Sequence, residues 1–272
     1  MLEAYVEGIG IWAPGLPGWE TACAVLRGDQ PHDNVLQPMP PIDLLPPAER
    51  RRLAPTVKLA MTAALGAVAD AEADAKMLSS VFACSGGDGE TIHQILLTLT
   101  TGAREVSPTR FHNSVHNAPS GYWAVATQAR TPSTTVSAHD RSFAAGMVEA
   151  MTFVAVEATP VLLVAYDQAY PEPLHSARPL TSAFGAALVL TPGPSPRTRA
   201  KLGLDLGEGW VSETGMSDPA LEALRVGNPA ARALPLLDML ANGRSGPVYL
   251  EGTGADHVAI AVTALGRGVM AC

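Results

Sequence analysis

The sequence predicts an α/β fold in which helices are layered on a mainly parallel sheet. Short apolar runs alternate with helical patterns along the chain, which is the order that builds parallel sheets from strand–helix–strand units. Hydrophobic residues make up 47% of the 272 residues, while charged residues make up only 16%, against an average of about 25%. This composition provides a large buried core and excludes a disordered chain.

The first elements are a strand at 5–12, ended by a Pro-Gly pair, and a short helix at 19–27. The proline-rich residues 31–47 indicate an irregular connection. The clearest helical pattern starts at Pro55 and ends in the acidic patch 70–74. Its many Ala and Gly residues predict a tightly packed, largely buried helix.

Strands and helices continue to alternate after this helix. A strand at 81–84 leads through a Gly-rich turn into a helix at 90–99, and Pro119 marks the first turn of another helix, where its missing N–H costs nothing. A strand at 134–137 turns directly into an amphipathic helix at 143–157. Further strands are expected at 161–165, 185–190, 202–206, 248–250 and 257–262, with one or two helices between 219 and 240.

The charge pattern gives no sign of nucleic-acid binding. The chain has 26 acidic and 18 basic residues, a formal net charge of −8, and its main basic cluster is the run of three arginines at 50–52. No apolar stretch predicts a membrane span, and residues 1–3 lack the basic region of a secretion signal. The three cysteines are widely spaced without a CxxC pair, which argues against a zinc cluster and fits a reducing cytosol. We therefore expect a cytoplasmic protein that has no cofactor and does not insert into membranes.

Several stretches, taken together and in order, resemble the β-ketoacyl synthases. The first strand and its turn match at 6–15, and residues 107–121 match the Pro/Phe/Asn-Ala-Gly segment of that family. Residues 135–146 match the strand, elbow and helix that carry the nucleophile, and the next two strands match at 161–167 and 184–188. The resemblance is greatest to the short N-terminal-domain proteins of aryl-polyene and related lipid gene clusters.

The resemblance implies a thiolase-like fold with a shortened C-terminal half. It implies a synthase N-terminal-like domain at 1–191 and a truncated C-terminal portion at 192–272, packed on the same body. The family context implies fatty acid or polyketide biosynthesis, with an acyl carrier protein as a possible partner.

The departures from the family pattern decide the expected activity. Condensation needs a cysteine at the elbow, whose thiolate attacks the acyl thioester. Aligning Ser137 and Ala138 with the small residues of the family puts His139 in that place, whereas anchoring on the helix leaves residues 140–142 there. Glu251 stands where a catalytic histidine is expected. The resemblance therefore predicts a non-condensing partner of a ketosynthase, similar to a chain-length factor, without condensing activity of its own.

Two other functions stay open at this point. One is an independent acyl-thioester transferase or hydrolase that uses His139, or that uses Ser142 with His112 or His116 as a remote base. The other is a homodimeric acyl-binding scaffold without chemistry. His112 and His116 are four residues apart, a spacing that puts both on one helical face. Because Asn113 stands between them where the zinc motif has glutamate, we predict no metal site.

The resemblance also suggests where a partner and an acyl chain bind. The strand at 133–137 is expected to pair with its mate across a twofold axis, joined by the segment 105–125, in a heterodimer with a ketosynthase or in a homodimer. Aromatic residues are scarce, yet Phe111, Tyr122 and Trp123 lie close together in the sequence. They are expected either to fill the core or to cap an acyl channel and limit the length of the chain.

Overall fold

The computed structural model describes residues 1–102, 104–252 and 256–265. The strands are β1 (Leu2–Ala13), β2 (Leu16–Pro17), β3 (Ser79–Ala83), β4 (Ser133–Val136), β5 (Val161–Asp167), β6 (Phe184–Thr191), β7 (Ala200–Gly207), β8 (Gly246–Glu251) and β9 (His257–Ala264). The α-helices are α1 (Trp19–Arg27), α2 (Pro47–Arg50), α3 (Pro55–Ala71), α4 (Gly89–Thr100), α5 (Pro108–Ser114), α6 (Ala118–Thr127), α7 (Ser142–Glu157), α8 (Leu174–Ala177), α9 (Pro219–Gly227) and α10 (Leu234–Ala241). Single 3₁₀ segments lie at Ala75–Met77, His139–Arg141 and Pro229–Ala233.

All the strands belong to one sheet. Its order is β4-β3-β5-β6-β1-β7-β9-β8, and β2 pairs with β1. The predicted α/β class is confirmed, and the expected parallel pairing holds where β3 lies between β4 and β5. The other neighbouring pairs are antiparallel. A parallel neighbour needs a crossover of a dozen or more residues, usually a helix. The connections that follow β5, β6 and β8 are loops or carry a single helical turn.

Helices cover both faces of the first part of the sheet. On one face α3 packs on β1, β5 and β6, with α6 beside it. Its alanines are buried, and a Cβ atom on Gly10 of β1 would clash with the carbonyl oxygen of Ala63, so helix and strand are in backbone contact. This close approach is why the segment is rich in small residues.

The opposite face buries a larger core around α7. Residues of β3 and of β8 share this core with α7, the Pro229–Ala233 turn and α10. The strands β7, β9 and β8 therefore extend the same sheet beyond β1. Of the segment 192–272, residues 253–255 and 266–272 lie outside the described part.

The outer edge of β8 is covered by an extended segment of the chain. The Thr214 N–H donates to the carbonyl oxygen of Tyr249, and the Tyr249 N–H donates to Thr214 Oγ1, each at 2.9 Å. The Glu251 N–H donates to Glu213 Oε1 at 3.2 Å. Pro247 has no N–H to satisfy. This edge strand therefore has its outward-facing amide groups paired.

The predicted elements are all present, and α2, α5, α8 and β2 are additional. They are short, and their sequences lack a periodic pattern long enough to predict them. In the described ranges, no helix has the length and apolarity needed to cross a membrane.

Candidate functional site

The connection from β4 to α7, residues 137–142, forms a tight turn that we call the elbow. His139 has a φ of 54° there, in the left-handed region that few residues other than glycine adopt and in which Asn, Asp and His are the most frequent exceptions. Such a conformation costs energy and persists where the surroundings hold it. The elbow therefore projects His139 at the end of a strand and one turn before a helix.

The hydroxyl of Ser142 holds the elbow in this shape. Ser142 Oγ accepts a hydrogen bond from the Ala138 N–H at 3.0 Å and donates to the His139 carbonyl oxygen at 2.7 Å. The side chain is 1% exposed. Neither His112 nor His116 hydrogen-bonds to it, so the geometry favours a structural role for Ser142 over that of a nucleophile with a remote base.

The side chain of His139 lies in a small charged cluster. Its Nδ1 is 3.3 Å from Asp140 Oδ2, and Asp140 Oδ1 accepts from Arg178 Nη2 at 2.8 Å. The imidazole is 66% exposed. The loop after β5, which carries Arg178, thus fixes the carboxylate that neighbours the imidazole.

Arg141 ties the elbow to the C-terminal strands. Its Nη2 is 2.5 Å from Glu251 Oε1, at the end of β8. Glu251 is the residue that the sequence places where the family has histidine. Residues 253–255, which follow shortly after Glu251, lie outside the described residues.

A buried carboxylate, that of Asp167, is the centre of a hydrogen-bonded cluster next to the elbow, which we call the floor of the elbow. Asp167 Oδ1 accepts from the Ser85 N–H at 2.9 Å, from Ser85 Oγ at 2.7 Å and from Cys84 Sγ at 3.3 Å. Ser137 Oγ in turn donates to the Ser85 carbonyl oxygen at 3.1 Å. Burial raises the pKa of Asp167 to about 6, and burial also raises the pKa of the Cys84 thiol well above its usual range. Cys84 is therefore held as a thiol.

Sequence reasoning missed this floor, although a signal was present. Ser85 and Asp167 stand at the carboxyl ends of β3 and β5, where apolar runs give way to polar residues. The carboxyl ends of parallel strands meet at one edge of a sheet, which is where such residues converge.

The two candidate histidines do not share a helical face, contrary to the expectation. Helix α5 ends at Ser114, so His116 lies beyond it. The His112 ring meets Tyr122 edge-on, with 5.4 Å between ring centroids, while His116 lies next to Gly87. In the described part of the chain, no three His, Cys, Asp or Glu residues are grouped as metal ligands would be.

The three candidate channel aromatics occupy different environments. Phe111 is 66% exposed on α5, whereas Trp123 is 1% exposed and packs in the core with Phe82. Tyr122 and His112 line a cavity of about 280 Å³ between α2, α5 and α6. Neither Phe111 nor Trp123 lines this cavity.

The sequence profile of the family "Beta-ketoacyl synthase, N-terminal domain" matches residues 22–242, and the chain belongs to this family. No curated protein matches the chain.

Three solved structures show the same thiolase-like fold. One is the ketosynthase ApeO in complex with its chain length factor ApeC from Xenorhabdus doucetiae, with 23% identity, a TM-score of 0.71 and coverage of 96% of this chain and 100% of the matched chain. The ishigamide ketosynthase/chain length factor has 14% identity, a TM-score of 0.73 and coverage of 98% and 100%. The AntDE:AntF complex, a type II acyl carrier protein with its hexaketide-bound ketosynthase, has 12% identity, a TM-score of 0.74 and coverage of 97% and 99%.

Proposed function

We propose that the chain is a non-condensing subunit of the chain-length-factor type, which pairs with a ketosynthase in fatty acid or polyketide biosynthesis, including aryl-polyene-like pathways. The observation that carries this proposal is the identity of the left-handed residue in the elbow, His139. Condensation requires a thiolate nucleophile at such a turn. Residues 137–142 contain no cysteine, and the nearby Cys84 is buried as a thiol.

The residue at the expected histidine position supports the same function. Glu251 is an acceptor, and it is engaged by Arg141. A carboxylate paired with a guanidinium cannot donate a hydrogen bond to a thioester oxygen, which is the task that a histidine or a backbone N–H performs. The pair therefore fits a subunit that retains the scaffold of a synthase without its chemistry.

The uncovered edge of the sheet at β4 supports the proposal that this chain pairs with a partner subunit. Among the described residues, no strand lies beside the outer edge of β4, and this strand is partly exposed. The opposite edge, at β8, is covered by residues 213–214. An exposed edge pairs readily with another chain. We therefore assign β4 and the adjoining segment 105–125 to the interface with the ketosynthase.

The exposed Phe111 belongs to this segment and is the residue we propose as a limit on chain length. A rigid aromatic side chain that reaches into the partner's acyl pocket would stop elongation sterically, because added methylenes in a packed site cost about 1–3 kcal/mol.

Co-expression with the ketosynthase encoded nearest to it in its own genome tests the proposal. We expect a stable complex that condenses malonyl and acyl groups presented on an acyl carrier protein, while the chain alone forms no product. His139→Gln should leave the activity of the complex intact, since the condensing thiolate belongs to the partner. Condensation by the isolated chain, or failure to bind the ketosynthase, would contradict the proposal.

One observation favours an acyl-transfer role for His139 as a second candidate. Its imidazole is exposed, and Asp140 holds Nδ1, which leaves Nε2 available. Incubation with an acyl-thioester followed by intact-mass measurement distinguishes the two functions. An acyl adduct that is absent from His139→Gln would support the acyl-transfer function, and an unmodified mass of the parent protein would exclude it.

A further inference from the structure

A groove opens beside β1 where the sheet leaves part of that strand uncovered. Strand β7 pairs with β1 over residues 2–6, and β2 pairs with it at residues 12 and 13. In the part of the chain that the structure describes, no strand borders the intervening residues on this side. The Ile9 N–H donates instead to Asp70 Oδ2 of α3, at 2.8 Å. A side chain of α3 therefore takes the place of a neighbouring strand.

This opening, which we call the β1 groove, has a volume of about 330 Å³. It is bounded by β1, α3, the start of α1 and residues 40–42. Ligand pockets measure roughly 300–1,000 Å³ and are lined mainly by apolar and aromatic side chains with a few polar groups. Asp70 is the ionisable side chain in the lining, and the large apolar lining residues are Trp12, Trp19, Pro40, Pro41, Ile42 and Leu65. The β1 groove therefore has the size and the lining of a small-molecule site.

The proline-rich connection forms one wall of the β1 groove and is held against β1. The Gly15 N–H donates to the Val35 carbonyl oxygen at 2.8 Å. Trp12 Nε1 donates to the Gln37 carbonyl oxygen at 3.3 Å. Ile42 is 1% exposed and belongs to the core cluster under α3 and α6. Because these contacts position the wall before a ligand arrives, binding requires little ordering of the chain.

The opposite wall is kept low by Gly66, an exposed residue in the middle of the 17-residue helix α3. A glycine at such a position weakens a helix relative to alanine. Packing does not require it, because a Cβ atom there would lie 3.4 Å from its nearest neighbour, Gly10 Cα, which is an ordinary contact. The missing side chain therefore leaves space in the β1 groove without relieving a clash.

The charges around the β1 groove favour an uncharged hydrogen-bond donor. Asp70 Oδ1 accepts from Arg199 Nη2 at 2.6 Å, and 21% of the Asp70 side chain remains exposed. A carboxylate has about four acceptor positions, so Asp70 can accept a further hydrogen bond. The carboxylate would repel an anion, and a cation would meet the guanidinium that already neutralises Asp70. A hydroxyl or amide N–H on an apolar ring fits both the acceptor and the aromatic walls.

We propose that the β1 groove binds a small uncharged ligand, a mainly apolar ring system that carries a hydroxyl or amide N–H. The donor of the ligand bonds to Asp70, and its ring lies against Trp12 and Pro41. This inference goes beyond the proposed function and does not rest on it. Strand β1 is four strands away from β4 in the sheet, and none of the elbow residues lines the groove.

Equilibrium dialysis of the full-length chain against 2-naphthol and naphthalene tests the proposal. The two compounds share one ring system, and 2-naphthol alone carries a donor. We expect 2-naphthol to bind about tenfold or more tightly than naphthalene, because a hydrogen bond to a charged group is worth that much. Asp70→Asn, which keeps an acceptor oxygen but not the charge, should narrow this difference.

A variant that fills the β1 groove tests where the compound binds. Gly66→Leu should weaken 2-naphthol binding at least about tenfold, while its unfolding temperature stays at or above that of the parent, because leucine favours a helix more than glycine does. The matched control is Ala69→Leu, which adds the same side chain at an exposed position of the same helix outside the groove. This control should bind 2-naphthol like the parent.

Three results would overturn the proposal. The first is that the parent chain does not bind 2-naphthol. The second is that Gly66→Leu binds the compound as tightly as Ala69→Leu, which would place binding outside the β1 groove. The third is that naphthalene binds as tightly as 2-naphthol, or that Asp70→Asn leaves their difference unchanged, since Asp70 would then not be the acceptor.

Discussion

Arg141 of the elbow and Glu251 of β8 are 110 residues apart in sequence, and their side chains meet at 2.5 Å. The elbow follows β4, and β4 and β8 lie at opposite ends of the sheet. In a flat sheet, seven strand spacings would separate these strands by about 34 Å. The ion pair therefore places the turn between β4 and α7 beside the end of β8, on the face of the sheet where α7 and β8 share one core.

This pair is expected to add modestly to stability. A double-mutant cycle with Arg141→Ala and Glu251→Ala should give a coupling free energy of about 0.5–1 kcal/mol, because both side chains are partly exposed and screened by water. Urea unfolding at low and high salt measures it. The sheet-surface pair Lys201–Glu3 serves as a control. A coupling of zero at low salt would mean that the pair does not hold the elbow.

Ser142→Ala should destabilise the protein by about 1–3 kcal/mol, because it leaves the Ala138 N–H and the His139 carbonyl oxygen without their partner. Urea unfolding measures the loss. Ser212→Ala, on an exposed loop, should change stability very little. Equal stability of the two variants would show that the elbow keeps its shape without the hydroxyl.

Asp167 should make folding pH-dependent between about pH 4 and 6. Its pKa is raised from 3.8 to about 6 by burial, so the folded state binds its proton more tightly than the unfolded state. The stabilisation is complete below pH 4 and is lost as the pH rises through 6. A shift of this size corresponds to about 3 kcal/mol. Asp167→Asn keeps an acceptor for Ser85 and Cys84, and its stability relative to the parent should rise over this range when urea midpoints are compared. A difference that stays constant with pH would contradict this assignment.

Two Gly→Ala substitutions should have opposite effects. Gly10→Ala forces a Cβ atom into the backbone of α3 and should cost about 1–3 kcal/mol or more. Gly121→Ala lies in α6 with open space around it and should stabilise by about 0.5–1 kcal/mol through helix propensity. Thermal unfolding measures both. A tolerated Gly10→Ala would mean that α3 can move away from β1.

Phe111→Ala is the informative test of the proposed length limit. Because Phe111 is exposed, the substitution should change stability by less than about 0.5 kcal/mol and lengthen the product of the paired ketosynthase. Trp123→Ala is the contrasting variant, since removing this buried side chain should cost about 3–5 kcal/mol. Mass spectrometry of the products decides, and unchanged lengths with Phe111→Ala in an intact complex would place the limit elsewhere.

The sequence predicted most of the elements and the place of the elbow. Short apolar runs located β3 and β5, and one of the two alignments of the elbow put His139 at the turn position, where the backbone is left-handed. Local patterns of this kind are set by neighbouring residues, so they can be seen in a single sequence.

Contacts between distant segments could not be predicted in the same way. The pairing of Arg141 with Glu251 depends on where the turn after β4 lies relative to β8, and the three donors to Asp167 come from the two residues that follow β3. Similarly, the end of α5 at Ser114 depends on how the following residues pack, which separated His112 from His116. The apolar pattern of α4 likewise indicates burial, whereas the structure shows that Leu96, Leu97 and Leu99 are exposed.

The covered edge of β8 limits how far assembly can proceed. Of the two end strands in the described sheet, β8 has its outward-facing amide groups paired with residues 213–214, whereas β4 has no strand beside it. If a partner strand paired with β4, neither end of the described sheet would offer an uncovered strand to another copy. Strand addition at these ends would then stop at a pair, whereas a sheet with two uncovered ends could propagate into filaments.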